Sequence, residues 1–246
     1  MSAPEAKDPK SVSLFATCLV DALYPRVGAA VVQTLERAGC EVDLPEGQTC
    51  CGLPFYNNGY VAEATRLAQN TIAALEGQQP VVVPSGSCAW MMRSIYPRLL
   101  PAGEAFSKRV VEYSELLSKL PGWTARTPPA AGKVTYHPSC HLLRGLHVEK
   151  EPKSVLGRIE GLSLCPMDRE KDCCGFGGSF SVRYPEVSTS MLEDKLASAQ
   201  RTGAETIVVT DVGCLMQLEG GQRRREAGPR VIHLAELLEE SAPKDR

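Results

Sequence analysis

Pro45-Glu46-Gly47-Gln48-Thr49-Cys50-Cys51-Gly52 reads as a loop closing on a cysteine doublet and a glycine, and the doublet returns as Asp172-Cys173-Cys174-Gly175-Phe176-Gly177-Gly178. Outward from the first doublet, 31 residues separate it from Cys18 and 36 from Cys88; the second is separated by 32 and 39 from Cys140 and Cys214. Two matched three-point patterns mark an internal duplication. The surroundings repeat as well. Ser13-Leu14-Phe15 enters the first copy and Val134-Thr135-Tyr136 the second, and Pro80-Val81-Val82-Val83 matches Thr206-Ile207-Val208-Val209. Arg109-Val110-Val111-Glu112-Tyr113-Ser114-Glu115-Leu116-Leu117 matches Arg230-Val231-Ile232-His233-Leu234-Ala235-Glu236-Leu237-Leu238, and the offset stays between 121 and 126 throughout.

Each copy alternates strand and helix patterns. In the first, a buried strand over 12–16 leads to a helix over about 23–38, whose Val27, Ala30, Val31, Leu35 and Ala38 share a face, with Gly39 as the left-handed stop. Cys40-Glu41-Val42-Asp43-Leu44 alternates as a strand does, 61–75 forms a second amphipathic helix, and 81–83 is a β-branched buried strand. Such alternation predicts right-handed βαβ crossovers and a mainly parallel sheet in each half. The expected fold is α/β: two tandem, duplicated Rossmann-like domains over 12–120 and 134–246, related by a pseudo-twofold. A flexible tail is expected over 1–11. The stretch 121–133 is the expected linker, where Pro128-Pro129 forbids helix and discourages a central strand.

Composition narrows the function classes. The chain has 246 residues, 43% hydrophobic and 23% charged, and a formal net charge of −2 gives no general electrostatic reason for nucleic acid to bind. Residues 1–11 hold no apolar run of the kind a signal peptide needs, and Pro80-Val81-Val82-Val83 falls far below the roughly 20 residues that cross a bilayer. A cytoplasmic protein without a membrane span is expected. Ten cysteines are too few for a small secreted disulfide scaffold, so clustered thiols read as metal-binding or catalytic.

Cys18, Cys88, Cys140 and Cys214 each follow an expected strand within a few residues, at the carboxyl edge where open α/β sheets bind ligands. Each copy thus offers four thiols: Cys18, Cys50, Cys51 and Cys88, then Cys140, Cys173, Cys174 and Cys214. Iron–sulfur clusters are held by four cysteine thiolates. Adjacent side chains diverge, so Cys50 and Cys51 reach different irons of one cluster more readily than they chelate one ion, whereas tetrahedral zinc prefers cysteines two to four residues apart. The doublet favours a cluster, with zinc as the alternative. Gly52 and Gly175 let the backbone approach a bulky inorganic group.

The doubled Cys…Cys-Cys-Gly…Cys pattern resembles the cysteine-rich CCG family, found in heterodisulfide reductase and in iron–sulfur subunits of glycolate, glycerol-3-phosphate and lactate oxidation systems. Pro84-Ser85-Gly86-Ser87-Cys88, His137-Pro138-Ser139-Cys140-His141 and Asp211-Val212-Gly213-Cys214-Leu215-Met216, with the two doublet strings, are similar to its lactate-utilization branch. The resemblance runs from about Val12 to Leu238. It implies an iron–sulfur electron-transfer subunit of a system oxidising L-lactate to pyruvate, one 4Fe-4S cluster per repeat, and other lactate-utilization proteins as partners, including a second iron–sulfur protein. The widest family motif ends in Cys-x-x-Cys, but this chain has Ser85 and Asp211 where the first of that pair would stand. That departure favours an ordinary four-iron cluster over an open five-cysteine one, with Ser85 and Asp211 as loop caps.

Other residues carry weaker signals. Cys40 and Cys165, on expected strands, read as small buried hydrophobes. His137 and His141 flank Cys140 and suit a supporting role; His147 and His233 carry no signal; Arg223-Arg224-Arg225 reads as a solvated face near a helix end. No G-x-G-x-x-G follows a strand, so hydride removal is expected on a partner. Two other readings stay open: a thiol/disulfide redox protein like heterodisulfide reductase, and a zinc-stabilised assembly module without a redox role.

Overall fold

Two four-stranded, all-parallel sheets with the same strand order organise the computed structural model, which describes residues 11–121, 123, 125–126, 128, 132–225 and 228–242. The expected tail over 1–11 lies outside the described residues except for Ser11, and so does part of the expected linker over 121–133.

In the first half, β1 (Ser11–Leu14) runs into α1 (Cys18–Leu23) and α2 (Pro25–Arg37), then β2 (Glu41–Asp43), α3 (Leu53–Asn57) and α4 (Val61–Ala74). Then follow β3 (Val81–Val83), α5 (Gly86–Trp90), a π-turn over Met91–Ile95, α6 (Tyr96–Leu99), α7 (Pro101–Ser107), β4 (Val110–Glu112) and α8 (Tyr113–Lys119). The short strand β5 (Ala125–Arg126) pairs with β7 (Ile159–Glu160) of the second half. The second half continues with β6 (Lys133–His137), a π-turn over His141–Gly145, α9 (Lys150–Gly157), β7, β8 (Ser163–Leu164), α10 (Ser179–Arg183) and α11 (Pro185–Arg201). It ends with β9 (Thr206–Val209), α12 (Val212–Arg225), β10 (Arg230–His233) and α13 (Leu234–Glu240). Among the described residues, no helix is long and apolar enough to cross a membrane.

The expected helix over about 23–38 is α2, which starts at Pro25, whose fixed φ suits a first helical turn; the short α1 before it was not expected. Val27, Ala30, Val31 and Leu35 are buried as the spacing requires, joined by Thr34, and Gly39 has the expected positive φ of 87°. All three residues of β3 are buried, since helices cover both faces of the sheet. The sheet orders are β2-β1-β3-β4 and β8-β6-β9-β10. In each, the chain leaves the first strand toward one edge and returns on its other side, so β1/β3 and β6/β9 are topological switch points. Leu14 pairs with Val82 and Tyr136 with Val208, so Leu14 and Tyr136 are the true counterparts. The repeat read from sequence is one residue out of register there: Phe15 corresponds to His137.

The halves pack reciprocally. α13 lies on α2, and α8 on α9; α5 lies on the His141–Gly145 turn, and α12 on α1. Each contact has its mirror in the other copy, as a pseudo-twofold demands. One apolar cluster runs through both halves, from Val12, Leu35 and Leu117 to Tyr136, Leu196 and Leu237. A second belongs to the first half and holds Phe15, Cys51, Cys88 and Tyr96.

Candidate functional site

Both switch points open onto one cleft between the halves, of about 180 Å³, lined by all eight motif cysteines together with Ser85, Ser139, His141, Phe176 and Asp211. The strands deliver the outer cysteines. After β1 the chain turns at Thr17, whose Oγ1 accepts from Val20 N at 3.4 Å, so Cys18 is the first residue of α1 rather than a loop residue. Cys140 leads into its π-turn after β6; Cys88 and Cys214 sit in the first turns of α5 and α12 after β3 and β9. The doublets lie in the loops that follow β2 and β8 and precede α3 and α10.

Within each half the four thiols interact in series. Cys18 bonds Cys50, Cys50 bonds Cys51, and Cys51 Sγ lies 3.3 Å from Cys88 Sγ. Cys140, Cys173 and Cys174 repeat the series, with Cys174 Sγ 3.4 Å from Cys214 Sγ. The backbone supplies equivalent donors, Gly52 N to Cys50 Sγ and Gly175 N to Cys173 Sγ, both at 3.4 Å. These bonds shift the neighbouring thiols in opposite directions. Hydrogen bonds from Cys18 and Cys51 hold the Cys50 thiol down to about 3, and those from Cys140 and Cys174 hold Cys173 down to about 2. Their donors Cys18, Cys51, Cys140 and Cys174 are pushed up, first by those same bonds and then by burial.

Gly52 and Gly175 are required by the approach. Both have positive φ, 89° and 86°, and a Cβ on Gly175 would stand 2.5 Å from Ser188 O. Gln48 anchors the first doublet loop, donating to Leu14 O and Pro45 O and accepting from Ala16 N. In the second half Lys195, 1% exposed, does this work by donating from Nζ to Arg169 O and Glu170 O.

Asp211 and Ser85 bridge the halves across the axis. Asp211 Oδ2 accepts from Ser85 Oγ at 3.0 Å and Ser87 N at 2.8 Å, while Oδ1 accepts from Gly213 N at 3.0 Å. Asp211 does cap its own loop, and it caps the other half's loop as well. His141 has its ring 4.8 Å from that of Trp90 and its Nδ1 3.8 Å from Cys140 Sγ. His137 is fully buried, neither ring nitrogen has a hydrogen-bond partner among the described residues, and the ligand atoms of His137, Cys174 and Cys214 lie within 4.8 Å of one another.

Cys40 is buried as expected, though it precedes β2 instead of lying on a strand. Cys165 is not: it is half-exposed and follows β8 instead of lying on a strand, because β8 is a two-residue edge strand. His233, which carried no sequence signal, caps α13. Arg223 and Arg225, near the end of α12, pair with Glu219 and Glu193. Lys195 and the Asp211–Ser85 bridge were missed by sequence reasoning. Only the equivalence of positions 85 and 211 in the two copies signals that both lie near an axis.

The thiol sets fit an iron–sulfur group: four converging sulfurs in each half, peptide N–H groups aimed at them, and glycines where a side chain would block the loop. The model of the CCG cysteine-rich domain matches residues 12–93 and 134–219. Lactate utilization protein A of Bacillus velezensis is 42% identical over 234 residues, covering 92% of this chain and 98% of its own. Its namesake in Bacillus subtilis is 40% identical with the same coverage. A hypothetical protein from Helicobacter pylori has the same fold, with a TM-score of 0.65 at 11% identity over 97% of this chain; the chain spans 50% of that longer one.

Proposed function

Because this chain belongs to the lactate utilization protein A family of cysteine-rich CCG-domain proteins, we propose that it is the iron–sulfur electron-transfer subunit of an L-lactate oxidation system, working with other lactate-utilization proteins. The observation that carries this reading is the convergence of two complete four-thiol sets on one cleft. Cys18, Cys50, Cys51 and Cys88 hold one 4Fe-4S cluster, and Cys140, Cys173, Cys174 and Cys214 the other. The division into domains over 12–120 and 134–246 follows the same duplication. When bound, such clusters supply one-electron chemistry, so hydride removal from a 2-hydroxy acid falls to a partner's two-electron cofactor.

The chain's own residues prepare the sites. Gly52 N–H and Gly175 N–H donate to ligand sulfurs and spread their charge. The bonded Asp211–Ser85 bridge keeps the two sets at a fixed spacing. Burial of Cys51, Cys88, Cys174 and Cys214 excludes water from one side of each site.

A zinc reading has one observation in its favour, the donor set of His137, Cys174 and Cys214. Anaerobic purification with iron, sulfide and zinc assayed on one sample separates the two. About eight irons and eight sulfides per chain are expected for two four-iron clusters, and zinc without sulfide overturns the cluster reading. The reconstituted chain should stay oxidised with L-lactate alone and become reduced once its partners are added, followed by electron paramagnetic resonance.

A further inference from the structure

We infer that the two thiol sets are inequivalent redox sites, and that His137 makes the second set the one of higher reduction potential; this rests on the two-cluster reading above. The sulfurs themselves are arranged alike, with 3.3 and 3.4 Å between the last pair and matching peptide donors. The difference lies immediately behind them. In the first half the residue next to Leu14 is Phe15, packed in the apolar cluster with Cys51 and Cys88. In the second half the register puts His137 there, as buried as Phe15 but polar, its nitrogens unpartnered and close to Cys174 and Cys214 sulfurs.

A fully buried imidazole with no partner loses its solvation without compensation, which cores rarely tolerate. A sulfur-bearing group held by Cys174 and Cys214 supplies the missing partner. An N–H directed at sulfur stabilises the more negative, reduced state, and an imidazole in place of a thiolate on iron does the same; either contact raises the potential.

The surrounding charges of the second set are Lys195 and Asp211. Gly52 lies against Ala64 and Gly175 against Ser188, so seven residues on, Thr71 in the first half corresponds to Lys195 in the second. The buried ammonium of Lys195 stands behind the second doublet, where the first has only a hydroxyl. Asp211 opposes Lys195: its carboxylate bonds Ser87 N beside Cys88 and Gly213 N beside Cys214, and its charge bears on Cys140 and Cys214 of the second set. The two opposite charges offset one another, so the difference between the sets is carried by His137 standing where the first half has Phe15. An electron shared between the sites leaves the first oxidised and the second reduced, which gives the chain a direction.

The test is a potentiometric titration of the full, anaerobically reconstituted chain followed by electron paramagnetic resonance, with iron and sulfide counted beforehand. Two separate one-electron steps are expected. Cys51→Ser should leave only the higher step, and Cys174→Ser only the lower. His137→Phe should bring the higher step down toward the other, and Phe15→His should raise the lower one. If His137→Phe fails to fold or to hold iron, the Phe15→His chain and the two single-site chains decide. Coincident steps in a chain with two clusters, or a lower step surviving in Cys51→Ser, overturn the inference and leave the two-cluster reading standing. A chain that takes up no iron overturns both.

Discussion

Gly175 shows how much of the site depends on a missing side chain. Its φ of 86° lies in the left-handed region, and a methyl group there would meet the backbone oxygen of Ser188 at 2.5 Å and Met191 Cβ at 3.1 Å. At Gly52 the same substitution meets Ala64 O at 3.2 Å, which a small shift relieves. Both changes carry the left-handed strain of about 1–3 kcal/mol, and only Gly175→Ala adds a clash with helix backbone. Denaturant unfolding should therefore rank Gly175→Ala as the less stable of the two, with loss of iron confined to the second set. Equal destabilisation would show that α11 yields as easily as α4. Cys51→Ser works on the ligand directly: iron content should fall to about half, in proportion to one of two equal sites, and loss of all iron would mean a single shared group.

α8 and α13 occupy equivalent places after the last strand of each sheet, and both begin with a capping box built on a buried residue. Glu112 Oε2 accepts from Ser114 N, Ser114 Oγ and Glu115 N, while His233 Nδ1 accepts from Ala235 N at 3.2 Å. Burial acts on them in opposite senses. It pushes the Glu112 carboxyl up to about 8 and the His233 imidazole down to about 4. The folded state thus holds the Glu112 proton more tightly than the unfolded chain, so this contribution is complete below about pH 4.5 and is lost as pH rises through 8. His233 binds its proton less tightly when folded, so its contribution is complete above about pH 6.5 and is lost as pH falls through 4. Glu112→Gln, which keeps the accepting oxygen, should flatten the alkaline decline, and His233→Asn should flatten the acid one, each by a few kcal/mol at most. Stability measured against pH in the three chains checks this. Parallel curves would mean that neither group changes its proton affinity on folding.

At the scale of the molecule, the two copies share one core. The apolar cluster joining Leu35 and Leu117 to Tyr136 and Leu237 crosses the boundary between halves, and the reciprocal α2–α13 and α8–α9 contacts close over it. Neither half can lose its structure without exposing surface on the other, so unfolding should be a single cooperative transition. Leu35→Ala, at a fully buried position, should lower stability by about 2–5 kcal/mol and shift the loss of both halves together. Two calorimetric transitions, with only one displaced by the substitution, would show that the halves are independent. Asp211→Ala acts at the same interface: it leaves Ser87 N and Gly213 N without their acceptor, at a cost of about 1–3 kcal/mol for each group left buried and unsatisfied, while Ser85 Oγ keeps Ser87 Oγ as a partner.

The sequence by itself determined the duplication, the α/β class, the family and the eight thiols. Each of these is written in local pattern: the Cys-Cys-Gly doublets, the β-branched run at Val81 to Val83, and the spacing of Val27, Ala30, Val31 and Leu35. What the sequence could not decide depends on residues far apart in the chain. Phe15 and His137 become counterparts only through the strand register, since a shift of one residue changes which face a side chain occupies. Ser85 and Asp211 look like separate loop caps until the halves pack and a bond 126 positions long joins them. The gathering of both thiol sets on one cleft is likewise a property of the packing. Periodicity reports which side of an element is apolar, whereas the pairing of two apolar faces across a pseudo-twofold is fixed only when the whole core closes.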